Sequence, residues 1–108
     1  NYHRAADIAA PYGTEIYAAD AGTVVECTRH WSWGNYVKID HGNGYKTLYA
    51  HMSAQAVHVG DVVEQGQVIG YVGNTGNSFG NHCHFEMYYN ERLFSARDVF
   101  PDMPEWNR

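Results

Sequence analysis

Short runs of apolar and polar residues alternate with turn residues along most of this chain. Glycine, proline, asparagine and aspartate cluster between the runs, as in APYG (10–13), HGNG (41–44) and GNTGNSFGN (73–81). The runs favour β-structure and read EIYAA, GTVVECT, NYVKI, GYKTLYAH, QVIGYVG and HCHFEMYY. No apolar pattern of period 3.6 is sustained, so no helix is predicted. Short strands at this spacing predict a mainly β fold, an antiparallel sheet or barrel-like sandwich.

Two local signals refine this prediction. Asn43 and Gly44 both tolerate positive φ, which a two-residue hairpin turn requires, so NYVKID and GYKTLYAH are expected to pair as antiparallel neighbours. Near the start, RAAD resembles a helical turn, but Pro11 and Gly13 prevent anything longer. We therefore predict a loop or an edge strand there.

Size and charge limit the class of protein. A chain of 108 residues fits one compact domain. The net charge is -5 with neutral histidine, and Lys and Arg do not cluster, which argues against nucleic acid as a partner. No apolar run approaches the length of a membrane span. Cys27 and Cys83 are expected either to form one disulfide or to be two buried thiols; with no C-x-x-C pair, a thiolate zinc site is not predicted.

Histidine, as frequent as lysine and arginine together (7 against 7), carries the candidate chemistry. His82 and His84 are two apart on a predicted strand, so both point to one face, followed there by Glu86 and Tyr88. Cys83, Phe85 and Met87 are expected to face a core. In GYKTLYAH the same alternation puts Tyr45, Thr47, Tyr49 and His51 on one face. If the two strands share a sheet, His51 joins the HxH pair on one concave surface.

The HRAAD stretch adds His3 and Asp7, whose spacing lets an imidazole and a carboxylate chelate one cation. Together with one histidine of the HxH pair they would supply the three protein ligands typical of a catalytic zinc. The other HxH histidine and His51 would then remain for acid–base work or transition-state stabilisation. Zinc lowers the pKa of its bound water to about 7 and polarises carbonyls. Each motif alone is more often structural, so their occurrence together carries the argument.

With these residues in place, the chain resembles the lysostaphin/LytM-type zinc endopeptidases that cut peptidoglycan. The similarity covers roughly residues 2–89, through HRAADIAAPYGTEIYAADAGTVV, GNYVKIDHGNGYKTLYAHMS and VHVGDVVEQGQVIGYVGNTGNSFGNHCHFEM. The resemblance implies that His3, Asp7 and His84 bind one Zn²⁺ per chain and that His51 and His82 are catalytic. It also implies a substrate groove floored by the sheet and walled by loops around 31–33 and 74–81.

The same resemblance implies a zinc-dependent endopeptidase in which zinc-bound water attacks a peptide bond of peptidoglycan, assisted by two histidines. We expect an exported bacterial protein acting at the cell wall or envelope, a monomer, and a peptidase domain over 1–108 with an irregular tail at 101–108. The family has structure upstream of HxxxD, so an N-terminal strand is expected to be missing here. Ala5 and Cys83 replace the family's frequent glycine and leucine. Family members cut glycyl-glycine bridges or diaminopimelate-containing stems, and the sequence leaves that choice open.

Several alternatives stay open. The chain could be a non-catalytic LytM-like binding or activator module, although all five presumed site residues are present. A lipoyl- or biotinyl-carrier-like domain would match GDVVEQGQVIGYVG, but no lysine has the required hairpin setting. Tyr45 and Tyr49 are expected to line the groove or to pack against the sheet. Glu86 is expected to be either solvated or a partner of an HxH histidine.

Overall fold

A computed structural model describes residues 5–76, 80–89 and 92–94 of the chain. These residues form nine strands and no helix, and thus no helix that could span a membrane. In chain order the strands are β1 (Ala5–Ala9), β2 (Glu15–Tyr17), β3 (Gly22–His30), β4 (Gly34–Gly42), β5 (Tyr45–Gln55), β6 (Val62–Val63), β7 (Val68–Val72), β8 (His82–Tyr89) and β9 (Arg92–Phe94). The expected tail at 101–108 lies outside the described residues.

All nine strands belong to one sheet, in which the paired strands are antiparallel. The main path across it runs β1-β8-β5-β4-β3-β6, while β7 pairs with the end of β5 and with β2, and β9 pairs with β8. The predicted mainly β, antiparallel fold is therefore confirmed. The AAD of RAAD opens β1, which is an edge strand among the described strands, as one of the two expectations had it. The two- and three-residue strands β6 and β9 were not predicted, because they are too short to show alternation.

The predicted Asn43-Gly44 hairpin connects β4 to β5. Gly42 pairs with Tyr45, which leaves a two-residue loop. Within it Asn43 has a φ of 54° and Gly44 a φ of 86°, the positive values that a primed two-residue turn needs. The turn starts the β4–β5 pairing, whose register shifts between Asp40 and Gly42 and again between Asn35 and Val37.

The main apolar core lies on one face of the sheet. It joins the long strands to β2 and β7, and its members include Ile16, Val37, Ile39, Tyr49, Met52, Ile69, Val72 and Phe85. Cys83, Phe85 and Met87 of β8 point into it, as the alternation predicted. Burying one such large apolar side chain stabilises the fold by about 1.5–3 kcal/mol. A one-residue slip of β8 would exchange this face for the histidine face, so the core holds the register.

The pairing of β5 with β8 corrects one prediction about faces. Tyr49 lies opposite Phe85, and Ala50 lies opposite His84. Directly opposed residues share a face, so Tyr49 is on the core side and not beside the HxH pair. Tyr49 is buried, and its hydroxyl accepts a hydrogen bond from the Ala19 N–H at 2.9 Å. Its contribution is packing, and the alternative of groove lining is wrong for this tyrosine.

Both cysteines are free thiols. Cys27 on β3 and Cys83 on β8 are separated in the sheet by β4 and β5. Three strand spacings amount to roughly 14 Å, far beyond the Cα separation of about 4.4–6.8 Å that a disulfide requires. Of the two expectations, a disulfide or two free thiols, the structure therefore shows two free thiols. Cys83 is buried, whereas Cys27 is half-buried and lies 3.2 Å from the Val57 carbonyl oxygen, to which its thiol donates.

Candidate metal and catalytic site

The edge strand β1 brings the carboxylate of Asp7 to the HxH pair on β8. Asp7 lies directly opposite His84 in the strand register. Its Oδ1 is 2.8 Å from Nδ1 of His84 and 3.6 Å from Nε2 of His82. One carboxylate oxygen and two imidazole nitrogens therefore converge on the face opposite the core.

The described residues contain only some of the predicted metal ligands. His3 lies outside them, whereas Asp7 and His84 lie within. Over 5–76, 80–89 and 92–94, no group of three or more His, Cys, Asp and Glu side chains is arranged to hold a metal ion. The part of the site that the structure describes is thus a carboxylate–imidazole pair with two further imidazoles beside it.

His51 reaches this site through an irregularity in β5. Opposite Tyr36 of β4, β5 carries two residues, Ala50 and His51, instead of one. Such a bulge re-aims a side chain that alternation would send to the other face. His51 has a φ of 60°, a left-handed conformation that non-glycine residues seldom adopt. Its ring centroid comes to 4.9 Å from that of His82 and 5.9 Å from that of His84.

Backbone carbonyls orient two of the imidazoles. The Thr75 carbonyl lies 2.6 Å from Nδ1 of His51, and the Gly80 carbonyl lies 2.9 Å from Nδ1 of His82. Because a carbonyl oxygen can only accept, both Nδ1 atoms carry a hydrogen and donate. Burial lowers the pKa of His51, against the opposing effect of its bond to Thr75. His51 is therefore a neutral imidazole near pH 7, with its lone pair on Nε2.

Glu86 anchors the other side of His84. It is only 8% exposed, so the expectation of a solvated glutamate is wrong and that of a histidine partner holds. Its Oε2 is 2.8 Å from Nε2 of His84, and its Oε1 accepts a hydrogen bond from the Tyr88 hydroxyl. Burial raises the pKa of Glu86, but these hydrogen bonds outweigh burial and lower it. For His84, burial lowers the pKa, and the bonds to Glu86 and Asp7 outweigh it and raise it.

The 31–33 segment is joined to the site through its backbone. The Trp33 carbonyl accepts a hydrogen bond from the backbone N–H of His51 at 2.7 Å, which fixes the 31–33 segment beside the imidazoles. Trp31 is 81% exposed, and its ring stacks on that of His30 with centroids 5.6 Å apart. The segment therefore lies beside the described part of the site, and its role as a groove wall stays a prediction. Of the other predicted wall, 74–81, residues 77–79 lie outside the described residues.

A cavity of about 460 Å³ opens elsewhere, on the core side of the sheet. Its lining is mainly apolar, with Ile8, Ile16, Tyr49 and Phe85 among the contributors and no histidine or aspartate. Glu15 and Tyr17 also line it and hydrogen-bond each other at 2.9 Å, but the described imidazoles that meet Asp7 all lie on the opposite face.

Comparison with known proteins assigns the family. The match to the family described as Peptidase family M23 spans residues 1–96. The chain belongs to peptidase family M23. Peptidoglycan DD-endopeptidase ShyA of Vibrio cholerae is 44% identical over 94 residues, which are 87% of this chain and 22% of ShyA. DD-carboxypeptidase/endopeptidase Mpg of Neisseria meningitidis is 42% identical over 103 residues, 95% of this chain and 24% of Mpg. The chain thus spans about a quarter of the length of these curated relatives.

Solved structures agree with this family assignment and extend it to the fold. The catalytic domain of lysostaphin from Staphylococcus simulans has a TM-score of 0.85 and 30% identity, covering 94% of this chain and 80% of that one. A zinc-containing peptidase from Vibrio cholerae has a TM-score of 0.81 and 38% identity, covering 83% of this chain and 28% of that one. The resemblance to lysostaphin/LytM-type proteins is therefore confirmed for both family and fold.

The M23 site also depends on groups that the sequence pattern did not single out. The carbonyls of Thr75 and Gly80 hold His51 and His82, yet in the sequence both residues only mark a turn-rich stretch. A backbone carbonyl leaves no compositional signal, so only the fold could reveal these contacts. Tyr88, whose hydroxyl donates to Glu86, was predicted only to share the histidine face.

Proposed function

We propose that this M23 domain is a zinc-dependent endopeptidase that hydrolyses peptide bonds in bacterial peptidoglycan. The observation that carries the proposal is the convergence of the Asp7 carboxylate with the imidazoles of His51, His82 and His84 on one face of the sheet. The name of ShyA supports the substrate class, that of Mpg supports the peptidase activity, and the zinc-containing Vibrio peptidase supports the metal.

The donor atoms suit a zinc ion held by His3, Asp7 and His84, one ion per chain. Ligand atoms about 2.0–2.1 Å from a tetrahedral ion lie about 3.3 Å from each other. The distance of 2.8 Å between Asp7 Oδ1 and His84 Nδ1 is close to that spacing, so an adjustment of about half an ångström would admit the ion. The second nitrogen of His84 already contacts a buried carboxylate, the usual setting of a metal-bound histidine.

The remaining histidines would move protons. Zinc at this position would supply Lewis-acid activation of the attacking water and the scissile carbonyl. Neutral His51, with its Nε2 lone pair turned toward the site, would take a proton from the water. With a hydrogen on Nε2 as well as on Nδ1, His82 would donate from Nε2, which lies near Asp7, to the developing oxyanion. The proton taken up by His51 would then pass to the leaving amine, with His82 assisting.

The proposed substrate indicates where the domain acts, and the composition of the site indicates its assembly. A domain that cuts peptidoglycan acts outside the cytoplasm, at the cell wall or envelope. The site described above is built from one chain, which supports action as a monomer. Free thiols at Cys27 and Cys83 mean that the fold does not depend on an oxidising compartment.

Of the two kinds of bond that the sequence left open, we favour DD-endopeptidase cleavage, since ShyA and Mpg, whose names state DD-peptidase activity, are 44% and 42% identical. Purified protein would be incubated with directly cross-linked and with glycine-bridged peptidoglycan, and the fragments identified by mass spectrometry. We expect cross-linked dimers of the directly linked wall to become monomers, with Asp7→Ala as the inactive control. Zinc-loaded protein that binds both walls and cleaves neither would overturn the proposal in favour of the activator module.

A further inference from the structure

A row of side chains crosses the sheet from the HxH strand to β3. Glu86 on β8 opposes Leu48 on β5, Leu48 opposes Lys38 on β4, and Lys38 opposes Glu26 on β3. Directly opposed residues share a face, so the whole row lies on the histidine face. Leu48 is fully buried and fills the space between the two charged strands.

Glu86 is held from two sides at the end of this row. One carboxylate oxygen contacts Nε2 of His84, and the other accepts the hydroxyl hydrogen of Tyr88. The ammonium group of Lys38 lies 4.7 Å from the centroid of the Tyr88 ring, within cation–π distance. The Lys38 side chain is only 14% exposed, and its Nζ is 3.7 Å from Oε2 of Glu26.

We propose that Glu86 is a positioning residue for His84 and that Tyr88 and Lys38 hold Glu86 in place. The inference rests on the proposed function, because it assumes that His84 is a metal ligand. An imidazole can rotate about its Cβ–Cγ bond and present either nitrogen to a neighbour. With Nε2 fixed on a buried carboxylate, Nδ1 must face Asp7, which is the orientation a shared metal ion requires.

Lys38 supplies the charge that makes this arrangement favourable. A buried carboxylate is costly unless hydrogen bonds and opposite charge compensate it. Lys38 brings a positive charge to the ring whose hydroxyl donates to Glu86, and Glu26 keeps the ammonium group on that side. The Tyr36 hydroxyl, 2.6 Å from Oε1 of Glu26, fixes the far end of the row.

Zinc affinity provides the test, measured by competition with a chromophoric chelator. We expect Glu86→Gln to bind zinc about 10- to 100-fold more weakly than the wild type, the usual loss when an outer partner of a metal ligand is removed. Tyr88→Phe and Lys38→Met should also lower the zinc affinity, by roughly 2- to 10-fold, since these residues act through Glu86. The matched controls are Glu64→Gln and Tyr12→Phe at exposed positions, which should bind as the wild type does.

Two further measurements separate positioning from folding. Melting curves of chelator-treated protein report whether each variant is folded, and the visible spectrum of the Co²⁺ form reports the ligand geometry. A folded Glu86→Gln or Tyr88→Phe protein with wild-type zinc affinity and an unchanged cobalt spectrum would overturn the inference. Wild-type affinity in Lys38→Met would overturn the role of the lysine. A wild-type protein that binds no zinc would instead overturn the proposed function itself.

Discussion

Gly34 and Thr75 approach so closely that a Cβ atom added to Gly34 would lie 2.4 Å from the side-chain oxygen of Thr75. The Thr75 hydroxyl donates to the Met52 carbonyl at 2.6 Å and accepts the Asn35 N–H at 3.1 Å. The backbone carbonyl of Thr75 accepts a hydrogen bond from the Nδ1–H of His51. The contact therefore links the start of β4 to the loop that orients a proposed catalytic imidazole.

Substituting Gly34 should disturb both stability and the site. Gly34→Ala meets Thr75 and must also adopt a φ of 65°, so we expect a loss of roughly 2–4 kcal/mol in the free energy of unfolding. Gly42→Ala is the matched control, because Gly42 has a φ of 86° but nothing within 4 Å of an added Cβ; its loss should be about 1 kcal/mol. Urea denaturation measures both. Equal losses in the two variants would show that the contact with Thr75 is not tight.

Removing individual histidines should separate metal binding from turnover. We expect His84→Ala to lose both zinc and peptidoglycan cleavage, because it removes a proposed ligand. His51→Ala should keep about one zinc per chain and lose most turnover, roughly 10²-fold or more, because it removes a general base. Elemental analysis gives the zinc content, and release of soluble fragments gives the rate. The control is His58→Ala on an exposed turn. Loss of zinc from His51→Ala would assign that residue to the metal instead.

Alkaline pH should destabilise the domain through Cys83. Burial raises the pKa of its thiol from an ordinary 9.0 to about 12. The unfolded chain then releases this proton near pH 9, whereas the folded chain keeps it until about pH 12. Between these values the folded state binds more protons, so its stability falls as pH rises. Below about pH 8 both states hold the proton and this group has no effect.

Thermal melts of wild type and Cys83→Ala between pH 8 and pH 11 check this prediction. The variant should lose less stability over the alkaline interval, by at most about 1.4 kcal/mol per pH unit. Tyrosine side chains also ionise in this pH range. The test is therefore the difference between the pH profiles of the two proteins, and not the slope of either profile. Parallel pH profiles for the two proteins would contradict it.

Tyr49 should matter for stability and not for cleavage. Its buried hydroxyl accepts the Ala19 N–H at 2.9 Å and lies 2.7 Å from the Thr47 hydroxyl. Tyr49→Phe leaves these groups without that partner, so we expect a loss of about 1–3 kcal/mol. Turnover by the folded fraction should be unchanged, because the side chain lies on the face opposite the histidines. Exposed Tyr12→Phe is the control, and a fall in turnover without a fall in melting temperature would return Tyr49 to the groove.

The sequence predicted most of the fold, because the relevant signals are local. Alternation in HCHFEMYY put Cys83 and Phe85 in the core and His82 and His84 on the other face. Asn43-Gly44 specified its hairpin through two residues that tolerate positive φ. His51 lies beside the HxH pair, as expected. The alternation of GYKTLYAH was wrong in placing Tyr49 on the same face, because a bulge interrupts β5 and no pattern within that strand indicates one. The buried state of Glu86 was equally undecided, since its neighbours come from β4 and β8 together.

By itself the sequence determined where the longer strands form, where one hairpin turns, and which histidines of β8 share a face. These properties depend on backbone preferences and on a two-residue period that each segment carries alone. Only the tertiary structure decided that Asp7 meets His84, that His51 turns toward them, that Tyr49 turns away, and that the two cysteines stay apart. Those outcomes depend on strand order and register, which are set by packing between segments far apart in the chain.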